Sequence, residues 1–289
     1  MSSSVVVINT HTRFCGVIGN PIEHSLSPAI HNAAFQELGL NYVYLAWRVE
    51  AIGDAINGLR ALGNFRGASV TIPHKVAAVS FLDEVERTAC HIGAINTIVA
   101  DGGRLTGHNT DATGALRALR EGGVSLANQR VVMLGSGGAA RAIAFALAAE
   151  GASERLDLLG IDDRECGVLA SDLRAKTKLS VQKHHLSEES LTNTLPNALV
   201  LIHCTPTGMS PNVDETCVPS SLLHVGLTVM DIVYNPRETR LLREARAVGC
   251  RTIPGLEMFL HQAAAQFELW TNQPAPTEVM RRVLESRFS

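Results

Sequence analysis

The stretch VVMLGSGGAAR (131–141) decides the fold, because it joins an apolar strand to an apolar helix through a glycine-rich turn. Gly135 suits a tight turn, and Gly137 lets a ligand come close to the backbone. Ala140 is small enough for the helix to pack against the strand. Because a helix amino end offers N–H groups to phosphate, the stretch predicts a dinucleotide site. The residues expected to contact the cofactor here are Gly135, Ser136, Gly137, Gly138 and Ala139.

The next predicted strand ends in LLGIDDRE, which supplies Asp162. This residue lies somewhat further along than the roughly 20 positions usual for the acid that binds the adenosine ribose. A carboxylate there accepts hydrogen bonds from both ribose hydroxyls and repels a 2′-phosphate, so NAD is favoured and NADP is the alternative. A second interpretation is that Asp162 only caps the following helix.

Short apolar runs alternate with helical patterns along the whole chain, which predicts an α/β fold with largely parallel sheets. We expect residues 1–112 to form a substrate-binding and catalytic domain that is completed by helices in 256–289. Residues 113–255 would form a Rossmann-type dinucleotide-binding domain. The predicted strands cover 15–19, 42–49, 67–73, 94–100, 104–109, 130–135, 155–161, 197–204 and 227–234, and the predicted helices include 27–39, 52–63, 136–151 and 257–270.

Composition narrows the class of protein. The 289 residues are 46% hydrophobic and carry a formal net charge of −3, which gives no general attraction to nucleic acid or an anionic membrane. The six cysteines show no C-x-x-C pair, and the first residues do not resemble a signal peptide. We therefore expect a cytoplasmic monomer or homodimer that binds a small-molecule substrate, with no metal.

Polar side chains follow several predicted strands of the first domain. Ser25 and Ser27 follow the first strand, Thr71 lies near the end of another and Lys75 just past it, and Asp111 precedes a helix that it would cap. Ligands of open α/β sheets bind beyond the carboxyl ends of strands, so these groups indicate a site. Each also has a structural interpretation, as a helix cap, a solvated lysine or a turn.

Several motifs together resemble the shikimate/quinate dehydrogenase family. They are GNPIEHSLSPAIHN, SVTIPHK, GAINT, GHNTDATG, GSGGAAR, DIVYNPRETRLL and GLEMFLHQAA, and they run in the family's order over nearly the whole chain. The resemblance implies two α/β domains with the substrate in the cleft between them. It also implies reversible hydride transfer between NAD(P) and the C3 hydroxyl of a polyhydroxylated cyclohexene or cyclohexane carboxylate.

The resemblance also implies roles for single residues. Lys75 and Asp111 would be the catalytic pair at the reacting carbinol, with Lys75 the general acid/base and Asp111 its orienting partner. The remaining residues would bind the substrate or the cofactor. Those for the substrate are Ser25, Ser27, Thr71, Asn96, Tyr234 and Gln262, and those that border the cofactor are Thr205, Thr207, Met209, Val233, Gly255 and Met258.

The substrate is left open between three related acids. Two serines suit the planar carboxylate of shikimate, whereas a preference for NAD suits the catabolic oxidation of quinate, and an amino analogue of shikimate is a third candidate. A function of a different class is a non-catalytic NAD-binding sensor. The presence of both Lys75 and Asp111 argues against the sensor, which has no need of that pair.

Overall fold

The computed structural model describes residues 8–125, 129–151 and 153–287. The chain divides into two compact units. Unit 1 comprises Met1–Thr110 with Leu260–Ser289, and unit 2 comprises Asp111–Phe259. The domain borders expected from the sequence, at 112 and 255, remain a prediction. Within the described residues, no helix is both long and apolar enough to span a membrane.

Unit 1 contains a six-stranded mixed sheet in the order β2-β1-β3-β5-β6-β4. β1 pairs in parallel with β2 and β3, and β5 pairs antiparallel with β3 and β6. The last five residues of β1 are all buried, as expected of a central strand that is covered on both faces. The strands are β1 (Arg13–Gly19), β2 (Tyr42–Arg48), β3 (Phe65–Val70), β4 (Glu84–Val85), β5 (Thr97–Asp101) and β6 (Arg104–His108).

The helices of this part of the chain connect the strands and enclose an apolar core. They are α1 (Ser27–Glu37), α2 (Ile52–Arg60) and α3 (Arg87–Ile92). Pro28 lies in the first turn of α1, where its missing N–H costs nothing. Ile18, Val70 and Ile98 lie in the core between the sheet and its helices.

Unit 2 has a parallel six-stranded sheet in the order β12-β11-β10-β7-β8-β9. This is the doubly wound arrangement, and its strand order reverses between β7 and β10, where such sheets bind ligands. Its elements are α4 (Thr110–Glu121), β7 (Gln129–Leu134), α5 (Gly138–Ala149), β8 (Ser153–Gly160), α6 (Asp163–Lys176), β9 (Ser180–His185), α7 (Glu188–Thr194), β10 (Val200–His203), β11 (Thr228–Asp231), α8 (Arg240–Val248) and β12 (Arg251–Pro254).

Two helices close the chain, α9 (Gly255–Thr271) and α10 (Thr277–Glu285). From Leu260 onward these residues belong to unit 1, as expected for a helix that returns to the first domain. α10 packs against α1, and the indole N–H of Trp270 donates to the carbonyl oxygen of Ile98 at 2.9 Å. The α/β fold class expected from the sequence is confirmed, with one mixed and one parallel sheet.

Candidate active site

Ser25 and Ser27 lie in the segment that joins β1 to α1. Ser27 is the first residue of α1 and is buried, and Ser25 Oγ accepts a hydrogen bond from the Ser27 N–H at 3.3 Å. The residue in the N-cap position is Leu26, whose side chain cannot cap, so neither serine occupies that position. Both hydroxyls therefore lie at a helix amino end, where the helix dipole favours an anion.

A buried chain of hydrogen bonds begins at Tyr44, whose hydroxyl lies 2.6 Å from Ser69 Oγ. Ser69 donates to Gln266 Oε1 at 2.8 Å, and Gln266 Nε2 donates to the backbone oxygen of Asn96 at 3.2 Å. The chain leads to Asn96, which is expected at the substrate, through three residues whose part was not predicted, Tyr44, Ser69 and Gln266.

The side-chain oxygen of Asn96 is fully used within the protein. It accepts hydrogen bonds from the Thr110 N–H at 2.7 Å, the Thr97 hydroxyl at 2.8 Å and the Thr110 hydroxyl at 3.1 Å. These donors fix the amide orientation, so the Nδ2 group is the part of the side chain that can serve a ligand, as a donor. Asn96 therefore suits a hydroxyl oxygen of a substrate.

Thr71 and Lys75 follow β3 in a turn that is fixed to its neighbours. The Thr71 N–H donates to Ile18 O at 2.9 Å, and Lys75 O accepts from the Ile95 N–H at 2.9 Å. His74 is buried between them, with Nε2 2.8 Å from Val49 O. These bonds hold the backbone on both sides of Lys75 against β1, β2 and the segment before β5.

Asp111 lies in the first turn of α4, not in front of it, so the expectation that it caps this helix is wrong. The helix begins one residue earlier, at Thr110, because Asn96 Oδ1 accepts the Thr110 N–H. Asp111 belongs to unit 2 and Lys75 to unit 1, and their pairing remains a prediction. Gln262 lies on α9 one turn before Gln266, and its contact with substrate also remains a prediction.

The glycine turn fits a dinucleotide. Gly135 has a φ of +102°, and a Cβ on it would lie 3.0 Å from Cys204 O, so no other residue fits there without strain. Gly137 is the N-cap of α5 and supplies no capping side chain, while Ala140 is fully buried against the sheet. The amino end of α5 is thus available to a phosphate. The Ser136 hydroxyl turns to α6 and donates to Glu165 Oε2 at 2.8 Å.

Asp162 caps α6, as the second interpretation of the sequence predicted. Its Oδ1 accepts hydrogen bonds from the Arg164 and Glu165 N–H groups, both at 2.9 Å. Asp163 and Glu165 add two carboxylates to the first turn of α6. The expected contact of Asp162 with the ribose remains a prediction. The capping bonds use only one of its two carboxylate oxygens and do not test that contact.

The other residues expected near the cofactor or the substrate carboxylate follow β10 and β11 or begin α9. Gly255 is required by packing, since a Cβ would lie 2.6 Å from Val233 O and closer still to Ile232 O. Burial raises the pKa of the Tyr234 hydroxyl, whose ring packs on Phe259 at 5.1 Å. Their expected contacts remain predictions; the residues in this group are Thr205, Thr207, Met209, Val233, Tyr234, Gly255 and Met258.

Two sets of buried, hydrogen-bonded side chains were not predicted from the sequence. One is the chain through Tyr44, Ser69 and Gln266 described above. The other is a pair in unit 2, in which His203 Nδ1 lies 2.8 Å from Asp231 Oδ1. In each case the sequence shows a polar residue inside an apolar strand, Ser69 in GASV and Asp231 in TVMD. The pattern does not show which residue that side chain contacts.

Comparison with known proteins identifies the family. Residues 17–98 match the shikimate dehydrogenase substrate binding domain, and residues 255–285 match the shikimate 5′-dehydrogenase C-terminal domain. The curated shikimate dehydrogenase (NADP(+)) of Moorella thermoacetica is 44% identical over 282 residues, which are 97% of this chain and 95% of the relative.

Two solved structures are similar over nearly their whole length. Shikimate 5-dehydrogenase from Listeria monocytogenes, in complex with shikimate and NAD, has a TM-score of 0.93 and 37% identity, covering 98% of this chain and all of that one. Quinate dehydrogenase from Corynebacterium glutamicum, in complex with NAD, has a TM-score of 0.89 and 32% identity, covering 95% of this chain and 99% of that one.

Proposed function

The chain belongs to the shikimate dehydrogenase family, and we propose that it transfers hydride reversibly between NAD(P) and the C3 hydroxyl of shikimate. It is an NAD(P)-dependent oxidoreductase of the shikimate dehydrogenase type. The observation that supports the proposed substrate is the buried chain from Tyr44 to Asn96, which organises polar groups at the carboxyl edge of the unit 1 sheet.

The substrate carboxylate is bound by Ser25 and Ser27 in this proposal. A carboxylate needs hydrogen-bond donors and positive potential, and two hydroxyls at the amino end of α1 supply both. Ser27 is buried as the first residue of α1, so its backbone is positioned before the substrate arrives. Preorganisation of this kind lowers the entropy cost of binding.

The ring hydroxyls are bound by Thr71, Asn96 and Gln262. Support comes from Asn96, whose oxygen is committed to Thr97 and Thr110 and whose Nδ2 group is directed by those bonds. A site that donates to a hydroxyl discriminates strongly against an analogue without it, because the buried donor then has no partner.

Lys75 is the general acid/base. When shikimate is oxidised, the C3 hydrogen leaves as hydride and the hydroxyl proton passes to the neutral Lys75 amine; in the reverse direction the ammonium returns it. Asp111 accepts a hydrogen bond and orients the lysine and the hydroxyl. The bound nicotinamide supplies the hydride acceptor or donor. The hydrogen bonds from the Thr71 N–H to Ile18 O and from the Ile95 N–H to Lys75 O hold the Lys75 backbone in place.

The dinucleotide is bound by the glycine turn, with its phosphates at the amino end of α5. We propose a preference for NAD, because Asp162, Asp163 and Glu165 set three carboxylates at the start of α6, where a 2′-phosphate would be repelled. The name of the Moorella relative, which specifies NADP(+), counts against this preference. The ratio of kcat/KM for the two cofactors decides between them.

The test is an assay of the purified protein with shikimate and with quinate, each with NAD and with NADP, following the absorbance of the reduced nicotinamide. We expect shikimate with NAD to give the highest kcat/KM. A higher value for quinate would replace the proposed substrate. Tight dinucleotide binding without turnover of either acid would favour the non-catalytic sensor.

A further inference from the structure

A buried pair of opposite charges lies at the ends of two neighbouring strands of unit 2. His203 ends β10 and Asp231 ends β11, the two are partners in the sheet register, and their side chains are 2% and 0% exposed. Asp231 also accepts hydrogen bonds from the Val233 N–H at 3.0 Å and the Thr239 hydroxyl at 2.6 Å. The carboxylate therefore has three donors and is held in a fixed orientation.

The pair keeps His203 protonated at neutral pH. Burial alone lowers the pKa of the imidazole, but hydrogen bonds and charge from Asp231 and Cys217 outweigh it, and the pKa rises to about 9. Asp231 and Cys217 are the titratable groups that act on this ring among the described residues. In the imidazolium both ring nitrogens are donors, so Nε2 must donate to its other neighbour, Thr205.

From His203 the hydrogen bonds continue in one direction. His203 Nε2 lies 2.5 Å from Thr205 Oγ1, which also accepts from the Thr207 N–H at 3.3 Å. Since the Thr205 oxygen receives two N–H groups, its own proton goes to Thr207 Oγ1, at 3.0 Å. The Thr207 oxygen has then accepted a bond, and its proton is directed to a further acceptor.

These threonines follow β10 at the point where the strand order of the sheet reverses. Thr205 also flanks the glycine turn, because a Cβ on Gly135 would lie 3.3 Å from Thr205 Cγ2. We propose that the His203–Asp231 pair is a positioning device that fixes the Thr207 hydroxyl as a hydrogen-bond donor to an oxygen of the bound dinucleotide. This inference rests on the proposed cofactor site.

Deprotonation of His203 would reverse the direction of these bonds. A neutral ring that keeps its Nδ1 proton on Asp231 must accept at Nε2, so Thr205 would donate to His203 and Thr207 to Thr205. The Thr207 hydroxyl would then present lone pairs to the dinucleotide oxygen. The dinucleotide should bind more weakly as the pH rises through the titration of His203.

The experiment is a double-mutant cycle on the dissociation constant of the dinucleotide, measured by calorimetric titration without substrate. Thr207→Val removes the donor and keeps the shape, and His203→Asn removes the charge. Each should weaken binding about 10-fold, and the double variant should be no weaker than Thr207→Val alone. Thr207→Ser should restore binding, and Thr192→Val, on the exposed face of α7, should leave it unchanged.

A pH series separates positioning from general stability. Wild-type affinity should fall as the pH passes about 9, and Thr207→Val should show little of this dependence. The variant Cys217→Ser should keep the dependence but shift it to lower pH, because Cys217 contributes to the raised pKa of His203 and is not one of the groups in the chain from His203 to Thr207. If His203→Asn fails to fold, the pH series on wild type and Thr207→Val still tests the inference.

Strictly additive effects, or normal binding by Thr207→Val, would overturn the inference. Wild-type protein that binds the dinucleotide but does not oxidise shikimate would overturn the proposed substrate and leave this inference standing. Wild-type protein that binds neither dinucleotide would overturn both the cofactor proposal and the inference.

Discussion

Ser69 donates a hydrogen bond to Gln266 Oε1 at 2.8 Å across 197 positions of sequence. The same Gln266 amide donates to Asn96 O at 3.2 Å and to Thr97 Oγ1 at 3.0 Å. One buried side chain on α9 thus uses both its acceptor and its donors to tie β3 and the start of β5 to the closing helix. Asn96, which is expected to bind a substrate hydroxyl, is one of the residues that Gln266 contacts.

Replacing Gln266 with leucine should destabilise the protein by about 3 kcal/mol, because buried partners on β3 and β5 lose their hydrogen bonds. The KM for shikimate should rise as well, since the backbone of Asn96 loses the Gln266 hydrogen bond. Urea unfolding and steady-state kinetics measure the two effects. Gln273→Leu, at an exposed position beyond α9, is the control. An unchanged free energy of unfolding would show that the Gln266 hydrogen bonds do not stabilise the folded protein.

Lys75→Ala should lower kcat by a factor of about 10² to 10⁴, with a modest change in the KM for shikimate, because it removes the group that exchanges the hydroxyl proton. Single-turnover kinetics with the reduced cofactor measure the chemical step directly. Lys178→Ala, which changes an exposed lysine after α6, should behave as wild type. A variant with near-normal kcat and a raised KM would make Lys75 a binding residue only.

Asp162→Asn should raise the kcat/KM ratio of NADP over NAD by about 10-fold, because it removes a charge that repels the 2′-phosphate. Asparagine caps helices as well as aspartate does, so the α6 cap and the stability should be retained. Asp163→Asn is the matched control, since Asp163 is the neighbouring carboxylate and pairs with Lys183 at 3.1 Å. An equal gain in both variants would indicate general electrostatics instead of contact by Asp162.

Acid should destabilise the protein through His31. Its ring is fully buried and stacks on Tyr44 with centroids 4.5 Å apart, and burial lowers its pKa to about 3. The folded state keeps the ring neutral, so its contribution is present above pH 6.5 and is lost as the pH falls from 6.5 towards 3, at about 1.4 kcal/mol per pH unit.

His31→Phe keeps a stacked ring and removes the titration. Its free energy of unfolding should therefore fall less steeply than that of wild type between pH 6 and pH 4, as measured by urea unfolding. His11→Gln, at an exposed position, serves as control and should follow the wild-type curve. Parallel curves for wild type and His31→Phe would contradict the assignment.

Gly255→Ala should cost about 1–3 kcal/mol, because the added methyl group would meet the backbone oxygens of Ile232 and Val233. Gly167→Ala is the matched control inside α6, where a Cβ meets nothing within 4 Å. It should be neutral or stabilise by about 0.5–1 kcal/mol through helix propensity. Thermal unfolding of the two variants should move in opposite directions. Equal shifts of the unfolding temperature would mean that the backbone around Gly255 can move enough to accommodate the added methyl group.

The sequence predicted the fold where apolar runs were continuous. β1, β7 and β11 are buried strands within apolar stretches, and the turn at Gly135 falls between strand and helix as expected. The edge strand β9 (SVQKHH) was not predicted, because most of its side chains are polar and alternate weakly. The start of α4 was misplaced because a distant side chain, Asn96, accepts its first N–H.

The site was predictable in part, for a related reason. Thr71 stands immediately after β3, and Ser25 and Lys75 stand a few residues after β1 and β3, where a general rule predicts ligands. Gln266 could not be recognised, because its partner Ser69 is brought to it by the return of the chain after unit 2. Sequence patterns indicate the face of a helix or strand on which a residue lies. They do not indicate which residues pair when, like Ser69 and Gln266, they are 197 positions apart.

The return of α9 to unit 1 also sets an order of events during synthesis. Unit 2 is one uninterrupted segment. The sheet of unit 1 is translated first, but unit 1 is complete only after residues from 260 onward have been synthesised. Until Gln266 and Trp270 leave the ribosome, the carbonyl of Ile98 lacks the Trp270 N–H and the hydroxyl of Ser69 lacks Gln266 Oε1. The nascent chain thus presents all of unit 2 before it presents the last residues of unit 1.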